Sequence, residues 1–143
     1  LGRLMGDESL TAVLQRKCLM EQLILNLYRI NRYGVSAADD RRIRQALAYL
    51  EEHYYEPLVM DELARQHHLS PAHFRRLFKA RTGRTAQEFL MAKRISQAKK
   101  LLSQGCPIKQ VAPRVGYLDV FYFMRIFKKM TGVTAKNFRK NVT

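Results

Sequence analysis

Residues 71–91 read PAHFRRLFKARTGRTAQEFLM, and residues 120–140 read VFYFMRIFKKMTGVTAKNFRK. Laid over each other at an offset of 49 positions, the two stretches share one plan. Phe74-Arg75-Arg76-Leu77-Phe78-Lys79 falls on Phe123-Met124-Arg125-Ile126-Phe127-Lys128, Thr82-Gly83 on Thr131-Gly132, and Thr85-Ala86 on Thr134-Ala135. Phe89 falls on Phe138, and just upstream Ser70 meets Asp119, both residue types that cap helices. One residue out of step, Leu63-Ala64 lies over Val111-Ala112 and Leu69 over Tyr117. The agreement spans caps, core positions, charges and stops at once, which chance explains poorly. One helical unit occurs twice.

Each copy reads as a short helix, a tight turn and a second helix, the helix-turn-helix arrangement. The first covers about 60–82, the second about 108–131, and a long linker helix over 85–104 joins them. Asp61 starts the first short helix, and Ser70-Pro71 supplies an N-cap followed by proline at the first helical position. Ala64 and Ala112 are small enough for the second helix to cross closely. Four residues on, the turn calls for a left-handed backbone, which Gly116 adopts freely and His68 less comfortably. Phe74, Leu77 and Phe78, like Phe123, Ile126 and Phe127, are spaced to bury one face. In the first copy the other face presents Ala72, His73, Arg75, Arg76 and Lys79. In the second it presents Val120, Phe121, Met124, Arg125 and Lys128 or Lys129. A cationic helix projecting from such a turn can enter the major groove of a duplex. A linker of about 19 residues spans about 28 Å, close to the roughly 34 Å turn of duplex DNA, so two successive grooves are within reach.

The linker helix places Phe89, Ala92, Ile95, Ala98, Leu101 and Leu102 on one face and ends by Gly105. Outside the repeat, Val13, Leu14, Leu19, Leu23, Ile24, Leu27 and Ile30 recur at helical steps between Leu10 and Arg32. That additional amphipathic helix has an apolar face broad enough to pack on a partner or on a domain outside this chain. Asn31–Ala38 reads as a linker, and Asp39 or Asp40 can cap a helix whose stripe is Ile43, Leu47 and Leu50, with Pro57 stopping it. No strand-like alternation is long enough to build a sheet. The expected class is all-α, with two tandem helix-turn-helix units joined by a linker helix and preceded by the amphipathic helix.

Charge follows the repeat. The 143 residues carry 26 Lys+Arg against 12 Asp+Glu, a net of +14, and 47% of them are hydrophobic. That apolar content excludes a disordered basic tail. Residues 1–62 hold 8 Lys+Arg and 10 Asp+Glu, whereas residues 63–143 hold 18 Lys+Arg and only Glu88 and Asp119, a net of +16. Positive charge spread through apolar-periodic segments marks a face of a folded domain suited to a polyanion. Counterion release from a phosphate backbone would supply much of the affinity. No run approaches the roughly 18 apolar residues of a membrane span, and no secretory signal is legible. Two cysteines, Cys18 and Cys106, exclude a disulfide scaffold and fit a reducing compartment.

Enzyme chemistry finds no foothold: there is no glycine-rich phosphate loop, no carboxylate pair in the basic half and no Ser-His-Asp constellation. His67, His68 and His73 lack a cysteine pair at zinc-finger spacing, so neither metal nor cofactor is expected. Cys18 reads as a small core residue, and Glu51-Glu52 as a solvated face. Arg94 fits either a phosphate contact or a structural role. A nonspecific nucleoid-type or RNA-binding module, or a protein-interaction module with a basic face, would share the same charge.

Ser70, Phe74, Arg76, Phe78-Lys79 and Gly83 resemble the first half of the AraC/XylS transcription-regulator signature. Arg94-Ile95, Ala98 and Leu102 resemble its linker helix. Ile108, Val111-Ala112, Val115-Gly116-Tyr117, Asp119, Tyr122-Phe123, Arg125, Phe127-Lys128, Gly132 and Phe138-Arg139 resemble its second half, and the likeness covers about residues 40–140. The resemblance implies a cytoplasmic, nucleoid-associated bacterial regulator that binds double-stranded promoter DNA and often activates by recruiting RNA polymerase. It implies that 39–143 is the DNA-binding domain and that 1–38 closes a dimerisation and effector region. The full-length protein would then be a homodimer with a small-molecule effector bound in an N-terminal domain absent from this chain. The DNA-contacting residues expected on this basis are Ser70, Ala72, His73, Arg75, Arg76 and Lys79, then Val120, Phe121, Met124, Arg125, Lys128 and Lys129. Arg76 is the expected base-reader, since arginine bidentate to guanine is the commonest specific contact.

Three departures stand out. Val120-Phe121 and Met124 occupy positions usually polar in the family pattern, so the second helix either reads thymine methyls by apolar contact or contributes little direct readout. Pro113 lies inside the second short helix, where it removes a donor and predicts a kink or a cost of up to about 3 kcal/mol. Ala135 stands where the family has proline, a mild loss because Thr134 still caps.

Overall fold

The computed structural model describes residues 10–33 and 35–142; the side chains of residues 10 and 26–34 lie outside the description, and with them the stripe members Leu27 and Ile30. Among the described residues every regular element is a helix: α1 Leu10–Tyr33, α2 Ala37–Glu52, α3 Met60–Gln66, α4 Pro71–Thr82, α5 Ala86–Ser103, α6 Ile108–Arg114, α7 Val120–Thr131 and α8 Ala135–Val142. The chain divides into two units, Leu1–Ser36 and Ala37–Thr143.

In the first unit α1 runs through Asn31–Tyr33, where a linker was expected; those residues include no glycine or proline to stop it. Val13, Leu14, Leu19, Leu23 and Ile24 are exposed along it. Cys18 is exposed as well, contrary to the core position its apolar neighbours suggested. A helix taken by itself has no second layer to bury it.

In the second unit α2 begins at Ala37, so neither Asp39 nor Asp40 is its cap. Both sit in the first turn, where carboxylates complement the positive end of the helix. The helix buries Ile43, Ala46 and Leu50, with Leu47 only half-buried. The repeat is built as the sequence predicts. Ser70 caps α4 by accepting from the backbone of His73, and Asp119 caps α7 by accepting from Phe121 and Tyr122. Gly83 and Gly132 end these helices with φ of 78° and 79°. Phe74, Leu77 and Phe78 are buried, as are Phe123, Ile126 and Phe127. Each copy holds the same aromatic ladder. Ring centroids are 5.6 Å apart for Phe74–Phe78 and for Phe78–Phe89, and 5.9 and 5.5 Å apart for Phe123–Phe127 and Phe127–Phe138. Burying each such ring contributes about 1.5–3 kcal/mol.

Helix α5 is the shared wall. Thr85 and Glu88 form a reciprocal capping box at its start, an arrangement that satisfies two otherwise orphaned donors. It packs on α2 and α4 of the first copy and on α6, α7 and α8 of the second. Its buried face is Ala86, Leu90, Ile95, Ala98 and Leu102; the expected Phe89, Ala92 and Leu101 are only half-buried. Helix α6 continues through Pro113 to Arg114, and Val115 still donates to Val111 at 3.1 Å. Pro113 and Lys109, whose carbonyl it cannot serve, are both exposed.

Candidate nucleic-acid interface

The turns that aim α4 and α7 are matched in detail. Leu69 donates to the Ala64 carbonyl at 2.9 Å, and Tyr117 to the Ala112 carbonyl at the same distance. His68 takes φ of 58° and Gly116 φ of 100°, the left-handed geometry the spacing called for. Ala64 and Ala112 are fully buried at the crossings.

Arg94, on α5, ties the second turn to the segment between α2 and α3. Its Nε donates to the Tyr54 carbonyl at 2.7 Å and its Nη2 to the Glu56 carbonyl at 2.8 Å, both in the segment between α2 and α3. The guanidinium carbon lies 5.2 Å from the centre of the Tyr117 ring. A Cβ on Gly116 would meet Arg94 Nε at 2.8 Å, so the turn and the guanidinium are in close approach. Burial pulls the Arg94 pKa down, and the neighbouring Tyr117 pulls it back up. Burial pushes the Tyr117 hydroxyl up in turn, against the guanidinium beside it. Of the two roles left open by the sequence, the structure gives Arg94 the structural one.

The first outer face is partly neutralised from within. His73 Nε2 lies 3.0 Å from Asp39 Oδ2, so this ring turns toward α2 rather than outward to a groove or phosphate. The sequence could not anticipate this, because Asp39 lies 34 positions away. Arg75 donates to Asp61 on α3 at 3.2 Å, and Arg81 pairs with Asp40. Ser70 and Ala72 are exposed at the start of α4. Arg76 and Lys79 are exposed and make no ion pair among the described residues. The acidic first turn of α2 and Arg81 were not among the expected participants; only folding brings them together.

The second outer face differs. Phe121 is 73% exposed and the preceding Leu118 94%. Val120 and Met124 are half-exposed, and Arg125, Lys128 and Lys129 lie open. The Arg125 guanidinium sits 5.9 Å from the Tyr122 ring centre. Among the described residues, no three His, Cys, Asp or Glu side chains gather as metal ligands would. Cys106 instead contacts Gln110 and Arg114 at 3.8 and 3.7 Å.

A family model described as a helix-turn-helix domain matches residues 63–141. The chain is 33% identical over 112 residues to the HTH-type transcriptional activator Btr of Bacillus subtilis, covering 76% of this chain and 21% of that protein. It is 33% identical over 121 residues to the HTH-type transcriptional activator RhaS of Klebsiella pneumoniae, covering 83% and 44%. It therefore spans less than half the length of these curated relatives. Among solved structures, the C-terminal domain of the response regulator AraT from Geobacillus stearothermophilus matches at 31% identity with a TM-score of 0.67, covering 70% of this chain and 84% of that one. The DNA-binding domain of the global transcriptional factor AdpA, solved with a target DNA, matches at 25% identity with a TM-score of 0.66, covering 69% and 90%. With its duplicated turn, matched aromatic ladders and shared linker helix, the chain belongs to the AraC-type helix-turn-helix family of transcription regulators.

Proposed function

We propose that the chain is the sequence-specific DNA-binding part of a transcription regulator, with α4 and α7 entering successive major grooves of promoter DNA. The observation that carries this reading is the pair of exposed, cationic helices α4 and α7 flanking one α5 of 18 residues, a helix about 27 Å long. The AdpA domain, solved with its target DNA, supports it by likeness. The contacts proposed are Ser70, Ala72, Arg75, Arg76 and Lys79 from the first unit, with His73 acting through Asp39 to hold α4. From the second come Val120, Phe121, Met124, Arg125, Lys128 and Lys129. The whole protein, on this reading, is a cytoplasmic, nucleoid-associated homodimer that binds a small-molecule effector through a further domain and activates by engaging RNA polymerase. The names of the relatives support activation.

Selection of duplexes from a random pool tests the reading: an enriched motif about two helical turns long is expected, and enrichment of none overturns it. On the selected duplex, Arg76→Ala is expected to cost about 1–3 kcal/mol and relax preference at one base pair. Lys79→Ala is expected to weaken all sequences about equally. Binding titrations against single-base variants separate the two patterns, and a uniform loss for Arg76→Ala would remove its base-reading role.

A further inference from the structure

We propose that the second unit selects thymine in its half-site through the 5-methyl group, with Phe121 and Met124 as the specificity-determining side chains. The proposal rests on the DNA-binding reading above and adds the base that α7 selects. The N-terminal residues of a recognition helix are the ones that reach base edges. At the start of α7 the exposed or half-exposed side chains are Val120, Phe121, Tyr122 and Met124, with Leu118 just ahead. Only Tyr122 carries more than a thioether to hydrogen-bond with, and its ring lies 5.9 Å from both the Tyr117 ring and the Arg125 guanidinium. The one charged side chain ahead of Arg125, Asp119, is engaged in the cap, accepting from Phe121 at 2.9 Å and Tyr122 at 3.2 Å. Thymine is the base that presents an apolar group in the major groove.

The surroundings of the patch suit a nucleic acid rather than an apolar protein surface. Phe121, Met124, Arg125, Lys128 and Lys136 line one open groove between α7 and α8. No carboxylate side chain lies on either helix, and Arg125, Lys128, Lys129 and Lys136 make no ion pair among the described residues. An apolar floor rimmed by free cations complements a polyanion whose groove carries methyl groups. Register locates the difference: Phe121 and Met124 stand where α4 has Ala72 and Arg75, whereas Arg125 is the counterpart of Arg76. The second half-site therefore differs from the first by the apolar contact that α7 adds.

The test uses the intact chain and the duplex it selects, with thymine replaced by uracil separately in each half-site, which removes the methyl and leaves the pairing edge. Uracil in one half-site is expected to weaken binding about fourfold for each methyl contacted, and in the other to leave it unchanged. Phe121→Ala should reduce that sensitivity, and Phe121→Ala with Met124→Ala should abolish it, while both retain the preference that Arg76 reads. Because Phe121 is 73% exposed, the single variant should melt with the parent. Affinity indifferent to uracil in both half-sites overturns the proposal and leaves the DNA-binding reading standing; a patch that docks a protein would give this result. Uracil sensitivity undiminished in Phe121→Ala overturns the assignment of Phe121, and sensitivity that survives the double variant overturns the proposal. A pool from which nothing enriches overturns the proposal and the reading together.

Discussion

Replacing Arg94 with alanine is expected to lower the thermal unfolding midpoint by about 15 °C. Its guanidinium serves two backbone carbonyls, those of Tyr54 and Glu56, at 2.7 and 2.8 Å. Leaving a buried acceptor unserved costs about 1–3 kcal/mol, less where water can reach it. Loss of the contact over Tyr117 adds about 0.5–1 kcal/mol. The total is about 3 kcal/mol, and for a unit of this size each kcal/mol shifts the midpoint by about 4–8 °C. Lysine should recover little, since an ammonium cannot reproduce the planar fork that addresses two carbonyls and a ring together. The guanidinium stays protonated throughout the working pH range, so the loss should be the same at pH 6 and pH 8. Calorimetry on Arg94→Ala and Arg94→Lys checks this. A midpoint within about 3 °C of the parent, less than 1 kcal/mol on the same scale, would show that Arg94 does not hold the second turn to the α2–α3 segment.

Binding to the selected duplex is expected to weaken by about a thousandfold between 50 and 200 mM salt, as for a protein making at least six phosphate contacts. Apart from the base-reader Arg76, six cations, Lys79, Arg84, Arg125, Lys128, Lys129 and Lys136, are exposed and make no ion pair among the described residues. Arg75 and Arg81 are already paired with Asp61 and Asp40. The number of free cations that reach phosphate, rather than the net of +16 in residues 63–143, sets the slope. Anisotropy titrations at four ionic strengths measure it, and a constant indifferent to salt would refute a phosphate-docked mode.

Local chemistry was legible in the sequence; long-range chemistry was not. Ser70, Asp119 and Thr134 were readable as caps because a cap bonds only two or three residues away, whereas the same reading misplaced Asp39 and Asp40. His68 and Gly116 were readable as left-handed because their place after Ala64 and Ala112 fixes the turn. The repeat supplied the tandem architecture, since each copy vouches for the other. Ala46 rather than Leu47, and Leu90 rather than Phe89, form the deepest core; helical periodicity finds a face, but the crossing of neighbouring helices decides which residue on it goes deepest. His73 on Asp39 and Arg94 on Tyr54 join residues 34 and 40 positions apart. No spacing rule encodes such pairs, and the same reason hid the α2 carboxylates that temper α4.

Gly116 is constrained twice over. Its φ of 100° disfavours any side chain, and the space a Cβ would fill is held by an Arg94 already tied to two carbonyls. A substitution there must accept backbone strain and also displace the tether. His68, its counterpart, already tolerates a full side chain at φ of 58°. The two matched turns therefore have unequal freedom to vary. Position 68 can be varied in a library built to retune the first half-site, whereas position 116 can be released only together with residue 94.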